Sequence, residues 1–211
     1  MTRFGKARAM SGTRVRMPTP ASIRTQNGSA ARAAWGERLS AETAPHYFAL
    51  TDEAVLTHGA NAKMNPPLRT ARDVAAIISG LKDGTLDAIA TDHAPQSAVE
   101  KEVEFDQAAN GIIGLETALP LTLRLVHQGH LTLMEAIQKL TVAPARILGL
   151  DHGRLKVGGD ADLTLIDVDR EQTVDVGRFK SKSRNSPFHG WKLKGMPVLT
   201  VVAGRVVHRA A

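Results

Sequence analysis

The chain has 211 residues, no cysteine and a formal net charge of +6. The lack of cysteine excludes disulfide bonds and thiolate metal sites, so any metal would have to be held by histidine and carboxylate. No apolar run reaches the roughly 18 residues of a transmembrane helix, and the basic N-terminus lacks the continuous apolar core of a secretory signal. We therefore expect a cytoplasmic protein.

The positive charge is concentrated in the first 38 residues. They contain eight lysines and arginines and one acid, a net charge of +7, so the other 173 residues sum to −1. This segment shows no helical or strand periodicity and few large apolar residues, which predicts a disordered or unrelated leader over residues 1–38. Such an arm could bind polyanions without specificity. It has only Phe4 and Trp35 as aromatic residues and no nucleic-acid motif, so we do not expect nucleic acid as a partner.

Globular patterning begins at Leu39. Residues 39–44 are predicted to form a short strand, and a capped helical turn follows with Thr51 or Asp52 as its N-cap. Residues 61–69 cannot form a helix or an inner strand, because their two consecutive prolines remove backbone donors. This stretch is therefore predicted to be an ordered loop.

A helix and a buried strand are predicted next. Thr70 is placed to cap the helix, and the apolar residues within 74–81 recur at helical spacing. Residues 88–91 form an unalternating apolar run that leads into Asp92, and such runs are typical of strands buried on both faces of a parallel sheet. Together with the strand over 39–44, these elements predict a βαβ unit.

The pattern changes from helical to strand-like near residue 151. Before this point, the polar stretch 95–110 is long enough to form a mobile loop over a site. The change separates residues 39–150 from residues 151–211. The helices that we predict before it cover 111–126, 132–140 and 144–148, and Thr132 is placed to cap the second of them because Glu135 follows three residues later. The strands that we predict after it cover 153–157, 161–167 and 174–179, and then the pair 198–203 and 205–208 around Gly204.

Asp92 and His93 follow the predicted buried strand at the point where its loop begins. In β/α barrels and open α/β sheets, the carboxyl ends of the strands carry the chemistry. A carboxylate held there can ligate a metal or transfer a proton. Alternatively, Asp92 caps a following helix and His93 packs, and the spacing alone does not decide between these roles.

Five segments carry the most specific patterns: 41–48, Lys63-Met-Asn-Pro-Pro-Leu-Arg69, Thr91-Asp-His-Ala-Pro95, 110–119 and 140–150. In this order they resemble the C-terminal part of dihydroorotase, the bacterial zinc-dependent type of the amidohydrolase superfamily. The resemblance runs from about Leu39 to about Arg205. It implies an α/β fold in which residues 39–150 form the last two strands and helices of a (β/α)8 amidohydrolase barrel. Residues 151–211 would form part of the flanking β-sandwich.

The resemblance also implies a reaction, the reversible ring closure of N-carbamoyl-aspartate to dihydroorotate in pyrimidine synthesis. It implies two zinc ions per site, with Asp92 as a zinc ligand that moves the proton from the attacking water to the departing nitrogen. It assigns substrate contacts to Asn65, Gln96, Asn110 and Gly111, with Gln96 in the place of the more common histidine. Two alternatives remain open: Asn65 is a turn residue, and Gly111 simply starts a helix.

The rest of the implied metal site is not found in the sequence. The His-x-His of the family has no counterpart among the eight histidines, and a catalytic zinc usually needs at least three protein ligands. His46 follows the strand that would be the seventh, which supplies no zinc ligand in the family, so we predict a hydrogen-bonded loop histidine there. Arg69, Lys101 and Glu116 are expected to be solvated or structural.

Two functions follow from this resemblance. In the first, the chain is a truncated dihydroorotase that acts on dihydroorotate or N-carbamoyl-aspartate, inactive alone because it lacks most zinc ligands. In the second, it is a non-catalytic module that associates with aspartate carbamoyltransferase or with a second copy of itself. Open sheet edges would favour such association.

Overall fold

The computed structural model describes residues 6–8, 14–16 and 40–210. In the leader, strands β1 (Lys6–Arg8) and β2 (Arg14–Arg16) pair antiparallel, and the prediction for the other residues up to 38 lies outside the described ranges. None of the helices in these ranges is long and apolar enough to cross a membrane. The chain divides into a first unit, Met1–Glu116 with Phe179–Pro187, and a second unit, Thr117–Arg178 with Phe188–Ala211.

The first unit contains a parallel strand pair, β3 (Glu42–Thr43) and β4 (Ala88–Ile89), as the βαβ prediction requires. Both residues of β4 are buried. The strands are shorter than predicted because Pro45 begins a helix directly after β3, and Asp92 leaves the extended conformation soon after β4. Between the strands lie the helices α1 (Pro45–Ala49), α2 (Ala54–His58) and α3 (Ala71–Lys82), with a 3-10 turn over Gly59–Ala62.

Local signals set the ends of α3 as predicted. Thr70 and Asp73 form a capping box, in which the Asp73 carboxylate accepts hydrogen bonds from the Thr70 N–H (3.2 Å) and hydroxyl (2.7 Å). The apolar stripe buries Ile77 and Leu81. By contrast, the N-cap residue of α2 is Glu53 rather than Thr51 or Asp52.

The second unit combines helices with a three-stranded antiparallel sheet. Most of α5 (Leu115–His127) belongs to it, with α6 (Leu133–Leu140) and α7 (Val142–Leu148). The sheet has the order β5 (Leu163–Thr173), β6 (Lys192–Val202) and β7 (Arg205–Arg209). The predicted cap at Thr132 and the predicted hairpin around Gly204 are confirmed.

Three predicted elements differ in the structure. Residues 153–157 form turns rather than a strand, and Leu155 and Val157 are exposed. The strand predicted over 174–179 is replaced by a 3-10 helix at Val176–Arg178, because the Asp175 side chain accepts a hydrogen bond from the Gly177 N–H (2.9 Å) and closes the chain into a turn.

The third difference is the late start of α5, which begins at Leu115 rather than at residue 111. The N–H groups just before it have other acceptors. The Ile113 N–H donates to the Asn185 carbonyl (3.0 Å), and the Gly114 N–H donates to Nδ1 of His93 (3.1 Å). These backbone groups therefore join the loops of the first unit instead of the helix.

Candidate functional site

Asp92 lies just after β4, where the sequence places it. Its φ is 48°, in the left-handed region that residues with a side chain rarely adopt. Such strained backbone is often found at functional sites. Its side chain is 56% exposed, and partial burial raises the pKa of the carboxyl group. Asp92 does not cap the next helix, α4 (Ala98–Lys101), since Ser97 has that role.

His46 is the nearest candidate partner of Asp92. It lies in α1 and is only 2% exposed. Its Nε2 atom is 3.8 Å from Oδ2 of Asp92 and has no hydrogen-bond partner among the described residues. Burial lowers the pKa of His46 to about 3, so the ring is neutral near pH 7 and the short distance does not make an ion pair. The prediction of a loop position for His46 is therefore wrong, since His46 lies in α1 and its Nε2 has no hydrogen-bond partner among the described residues.

The pair of His46 and Asp92 fits two ligands of a metal ion. A neutral imidazole with an unpaired nitrogen and a nearby carboxylate are the groups that zinc binds, and two ligands of a tetrahedral zinc lie about 3.3 Å apart at ordinary bond lengths. The described residues contain no group of three or more potential ligands. Since a catalytic zinc usually needs three protein ligands, these residues supply part of such a site rather than a complete one.

A second carboxylate lies near Asp92. Burial, and then the charge of Asp92, raise the pKa of Glu42 at the start of β3. The same two causes raise the pKa of the Tyr47 hydroxyl. The charge of Asp92 is therefore felt by groups on β3 and α1, although no salt bridge from a lysine or arginine to Asp92 is seen in the described residues.

Asn65 lies in a loop that is fixed at two points. The Tyr47 hydroxyl donates to the Pro66 carbonyl (2.8 Å), and the Gly111 N–H donates to the Lys63 carbonyl (2.8 Å). Tyr47 follows His46 directly, and the two rings are in contact with their centroids 4.1 Å apart. The loop that carries the exposed Asn65 is thereby connected to α1 and to the loop of Gly111.

Gln96, Asn110 and Gly111 are brought together directly. The Gln96 side-chain amide donates to the Asn110 carbonyl (3.1 Å). Gly111 has a φ of 96°, and a Cβ atom there would lie 2.5 Å from Cβ of Ala94. A glycine is thus required for the close approach of these two loops, and it does not start a helix because α5 begins later.

His93 has a structural contact. Its Nδ1 accepts the Gly114 N–H, and the residue forms a parallel bridge with Ile112. Gly114 is tightly confined as well, because a Cβ atom there would lie 2.7 Å from the Thr91 carbonyl oxygen. This holds the chain after β4 against residues 112–114. The alternative that His93 packs is supported by these contacts.

No sequence pattern points to Asn185, which is only 5% exposed. Its side chain donates to the carbonyls of Ala94 (3.0 Å) and Gly111 (3.1 Å) and accepts from the Gln96 N–H (3.2 Å). These partners are 74 to 91 residues away in the chain, a separation at which no local pattern operates.

A cavity of about 770 Å³ in the first unit lies beside these loops. Neither His46, Asp92 nor Asn65 lines it, so the cavity does not contain the His46–Asp92 pair. The chemistry of that pair is a better guide to the reacting position than the cavity. The lining side chains that carry charge or hydrogen-bonding groups include Gln96, Lys101, Glu102, Lys182, Arg184 and Asn185.

Comparison with known proteins identifies similar chains. The amidohydrolase family matches residues 34–207. Dihydroorotase from Geobacter sp. (strain M21) is 57% identical over 175 residues, which cover 83% of this chain and 41% of that protein. Dihydroorotase from Geobacter metallireducens is 54% identical over 191 residues, which cover 90% and 44%.

Solved structures agree in fold. L-hydantoinase from Arthrobacter aurescens has a TM-score of 0.82 at 32% identity, over 88% of this chain and 42% of that one. Dihydropyrimidinase from Brevibacillus agri has a TM-score of 0.84 at 25% identity, over 90% and 43%. This chain therefore spans less than half the length of the proteins it matches here.

Proposed function

Because this chain belongs to the amidohydrolase family, we propose that it is the C-terminal part of a dihydroorotase-type cyclic amidohydrolase. The reaction is the reversible ring closure of N-carbamoyl-aspartate to dihydroorotate in pyrimidine biosynthesis, which we place in the cytoplasm. The observation that carries the proposal is Asp92 at the end of β4, with Oδ2 3.8 Å from the unpaired Nε2 of buried His46. Relatives named dihydroorotase at 54–57% identity support the choice of substrate.

The fold assignment is part of this proposal. We assign β3, β4 and their helices to the C-terminal portion of a (β/α)8 barrel, and the sheet β5–β6–β7 to part of a flanking β-sandwich. The parallel pairing of Glu42 with Ala88 and the antiparallel order of the second sheet support this assignment.

His46 and Asp92 would hold zinc in this enzyme, with the remaining ligands supplied from outside the described residues. Bound zinc would polarise the amide carbonyl of the substrate and activate the attacking water. The exclusion of His46 as a ligand depended on a strand count, and its unpaired nitrogen facing Asp92 outweighs that count.

Asp92 would accept the proton of the attacking water at a carboxylate oxygen and deliver it to the ring nitrogen that departs. Its raised pKa favours this role, since a carboxylate that is more easily protonated is a better proton acceptor. Asn65 and the Asn110–Gly111 backbone would contact the ring. The side-chain amide of Gln96 donates to Asn110 in the structure, so Gln96 would act on the substrate through this neighbour or by exchanging that bond.

The test uses two proteins, the chain as it stands and a chimera. In the chimera, residues 40–211 follow the preceding residues of the Geobacter metallireducens dihydroorotase. We expect no dihydroorotate hydrolysis by the chain alone, and zinc-dependent hydrolysis by the chimera. Asp92→Ala and His46→Ala should each lower turnover by at least about a thousandfold, the scale on which loss of a group from a catalytic unit acts.

Thr132→Ala, a change of a helix cap in the second unit, is the matched control and should keep turnover. A folded, zinc-loaded chimera that does not hydrolyse dihydroorotate would overturn the proposed reaction. Turnover unchanged in Asp92→Ala would overturn the assigned residue.

A second candidate function is a non-catalytic module that binds another enzyme chain. It is favoured by the incomplete ligand set among the described residues. Aspartate carbamoyltransferase and a second copy of this chain are the partners to test. Light scattering of the chain, alone and mixed with aspartate carbamoyltransferase, would measure complex formation. A stable complex without bound zinc would favour this function over catalysis.

A further inference from the structure

The Gly111 carbonyl accepts hydrogen bonds from two buried side chains. Nζ of Lys101 donates to it at 3.0 Å, and Nδ2 of Asn185 donates to it at 3.1 Å. Lys101 is only 6% exposed. Its ammonium group also donates to the Ala109 carbonyl (2.9 Å), so it holds the backbone on both sides of Asn110.

Asn185 uses both of its donors and its acceptor. Its two N–H groups go to Ala94 and Gly111, and its oxygen accepts from the Gln96 N–H. The Ser183 hydroxyl lies near this oxygen and near the Gln96 carbonyl, and its one proton serves one of them at a time. A side-chain amide can make four hydrogen bonds, and at least three are made here. Asn185 thereby joins the loop that follows Asp92 to the turn that carries Asn110 and Gly111.

We propose that Lys101 and Asn185 are positioning residues, which fix the Asn110–Gly111 turn relative to the loop after Asp92. The inference deepens the proposed function, since it depends on that turn contacting the substrate ring. Both residues would act through the backbone of this turn rather than by touching the substrate.

The cost of burying these groups supports a specific role. Moving an ammonium group out of water is costly, and burial together with the nearby Lys63 lowers the pKa of Lys101 to about 8. Its partners seen in the structure are neutral carbonyls, which compensate this cost less well than a carboxylate would. An apolar side chain would fill the same volume without the cost of burying a charge. The buried cation instead draws the carbonyls of Ala109 and Gly111 towards one point.

Lys63 adds a second clamp on the same segment. Its ammonium group donates to the carbonyls of Asp106 (2.8 Å) and Ala108 (2.7 Å), and its own carbonyl accepts the Gly111 N–H (2.8 Å). The polar stretch 95–110 was predicted to be a mobile loop, whereas these bonds hold its second half at several points. The Gly111 N–H therefore reports directly on whether the turn is in place.

Two pairs of variants test the inference on the full chain. Asn185→Asp keeps the shape and the acceptors but removes both donors. Ser181→Ala removes a different link in the same segment, the hydrogen bond that the Ser181 hydroxyl donates to Oε2 of Glu116 (2.7 Å). Lys101→Met keeps length without donors, and Lys101→Arg restores donors and charge. The first readout is hydrogen exchange of the Gly111 amide, with the amides of α3 as internal reference. The second is the affinity for dihydroorotate, followed by NMR titration.

We expect Asn185→Asp and Lys101→Met to speed exchange at Gly111 about tenfold or more and to weaken dihydroorotate binding by a similar factor. Exchange in α3 should stay unchanged, Lys101→Arg should recover most of both losses, and Ser181→Ala should change neither by more than about twofold. A merely structural role would instead raise exchange in α3 as well, and arginine would give no selective recovery.

The two readouts separate this inference from the proposed function. Unchanged exchange at Gly111 in Asn185→Asp and Lys101→Met would overturn the inference, whatever the ligand result. If the unaltered chain and the chimera both fail to bind dihydroorotate, the proposed function fails. The exchange data then still decide whether the two residues position the turn.

Discussion

The first and the second unit fix their backbones by different means. In the first, side chains connect backbone segments that lie far apart in sequence, as Asn185 does for Ala94 and Gly111. In the second, the sheet is held by backbone pairing, as between Thr200 and His208. The geometry of the candidate site thus depends on a few side chains, whereas the geometry of the sheet is spread over many equivalent bonds.

The two units also differ in what they bury. The first unit buries side chains with titratable or amide groups, among them His46, Lys101 and Asn185. Among the described residues of the second unit, the buried polar side chains are those of Thr117 and Thr122. The second unit leaves apolar side chains exposed on its sheet, as at Val206 and Val207. Buried polar groups are costly and are normally kept only where their hydrogen bonds matter. Their concentration around the loops of Asp92 and Gly111 is therefore itself an indication that these loops carry the function.

Replacement of one glycine in each unit should give the largest difference in the free energy of unfolding between a variant of the first unit and a variant of the second. Gly111→Ala introduces a Cβ atom 2.5 Å from that of Ala94, at a φ of 96°. We expect a loss of about 3 kcal/mol in the free energy of unfolding, from backbone strain and overpacking together. Gly204→Ala also has a positive φ, of 76°, but no atom lies within 4 Å of the added carbon. It should cost only about 1 kcal/mol.

Urea denaturation of both variants measures these losses. Equal losses would contradict the view that the loops of the first unit are more tightly constrained than the hairpin of the second. A normal stability of Gly111→Ala would also remove the packing reason for a glycine at this position.

An acid titration tests the burial of His46. Its pKa is about 3 in the folded chain against 6.5 as the ordinary value, so the folded state resists protonation that the unfolded state accepts. This contribution to stability is fully present above pH 6.5 and is lost as the pH falls towards 3, with a slope of up to about 1.4 kcal/mol per pH unit. In His46→Gln, the free energy of unfolding should fall less steeply between pH 7 and pH 3, because the variant lacks the contribution of His46. Urea unfolding at several pH values measures this dependence. An identical pH dependence in both proteins would show that His46 is not buried as a neutral ring.

The sequence predicted the features that local patterns determine. The cap at Thr132 is indicated by Glu135 three residues later, and the cap at Thr70 by the apolar stripe at helical spacing that follows it. The hairpin at Gly204 is indicated by a glycine that separates two apolar runs. Asp92 was placed at a strand end by the apolar run before it. These signals act over a few residues and need no knowledge of the tertiary structure.

The contacts that complete the candidate site could not be predicted in this way. Asn185 acts on residues 74 to 91 positions earlier, and the partner of His46 lies 46 positions later, beyond any helical or strand period. The sequence favours a loop for His46 because Pro45 follows the end of the predicted strand. In the structure this proline occupies the first turn of a helix, where it is well tolerated. Lys101 is expected from the sequence to be solvated or structural, and its burial supports the structural role.

Removal of the two helix caps should have equal and smaller effects. Thr70→Ala in the first unit and Thr132→Ala in the second each disrupt a capping box. Each should lower the free energy of unfolding by about 1 kcal/mol. Since this device is local, its effect should not depend on the unit in which it lies. A loss at Thr70 that is several times larger than at Thr132, measured by thermal and urea unfolding, would mean that α3 is coupled to the site more strongly than the hydrogen bonds indicate.

Asp92→Asn should give the smallest change in the free energy of unfolding. Unlike the substitutions above, it should raise this free energy. The folded state raises the pKa of Asp92, so it favours the neutral form, and the charged form is less stable there than in the unfolded chain. Stability should therefore fall slightly as the pH rises through the range above the ordinary value of 3.8, and asparagine, which also tolerates a positive φ, should remove that fall. Because the side chain is half exposed, we expect a gain of less than about 1 kcal/mol at pH 7. Urea unfolding of both proteins at pH 4 and pH 7 measures it. A loss of stability in Asp92→Asn would show that Asp92 is held by favourable contacts rather than kept at a small cost, which would weaken its assignment as the reacting carboxylate.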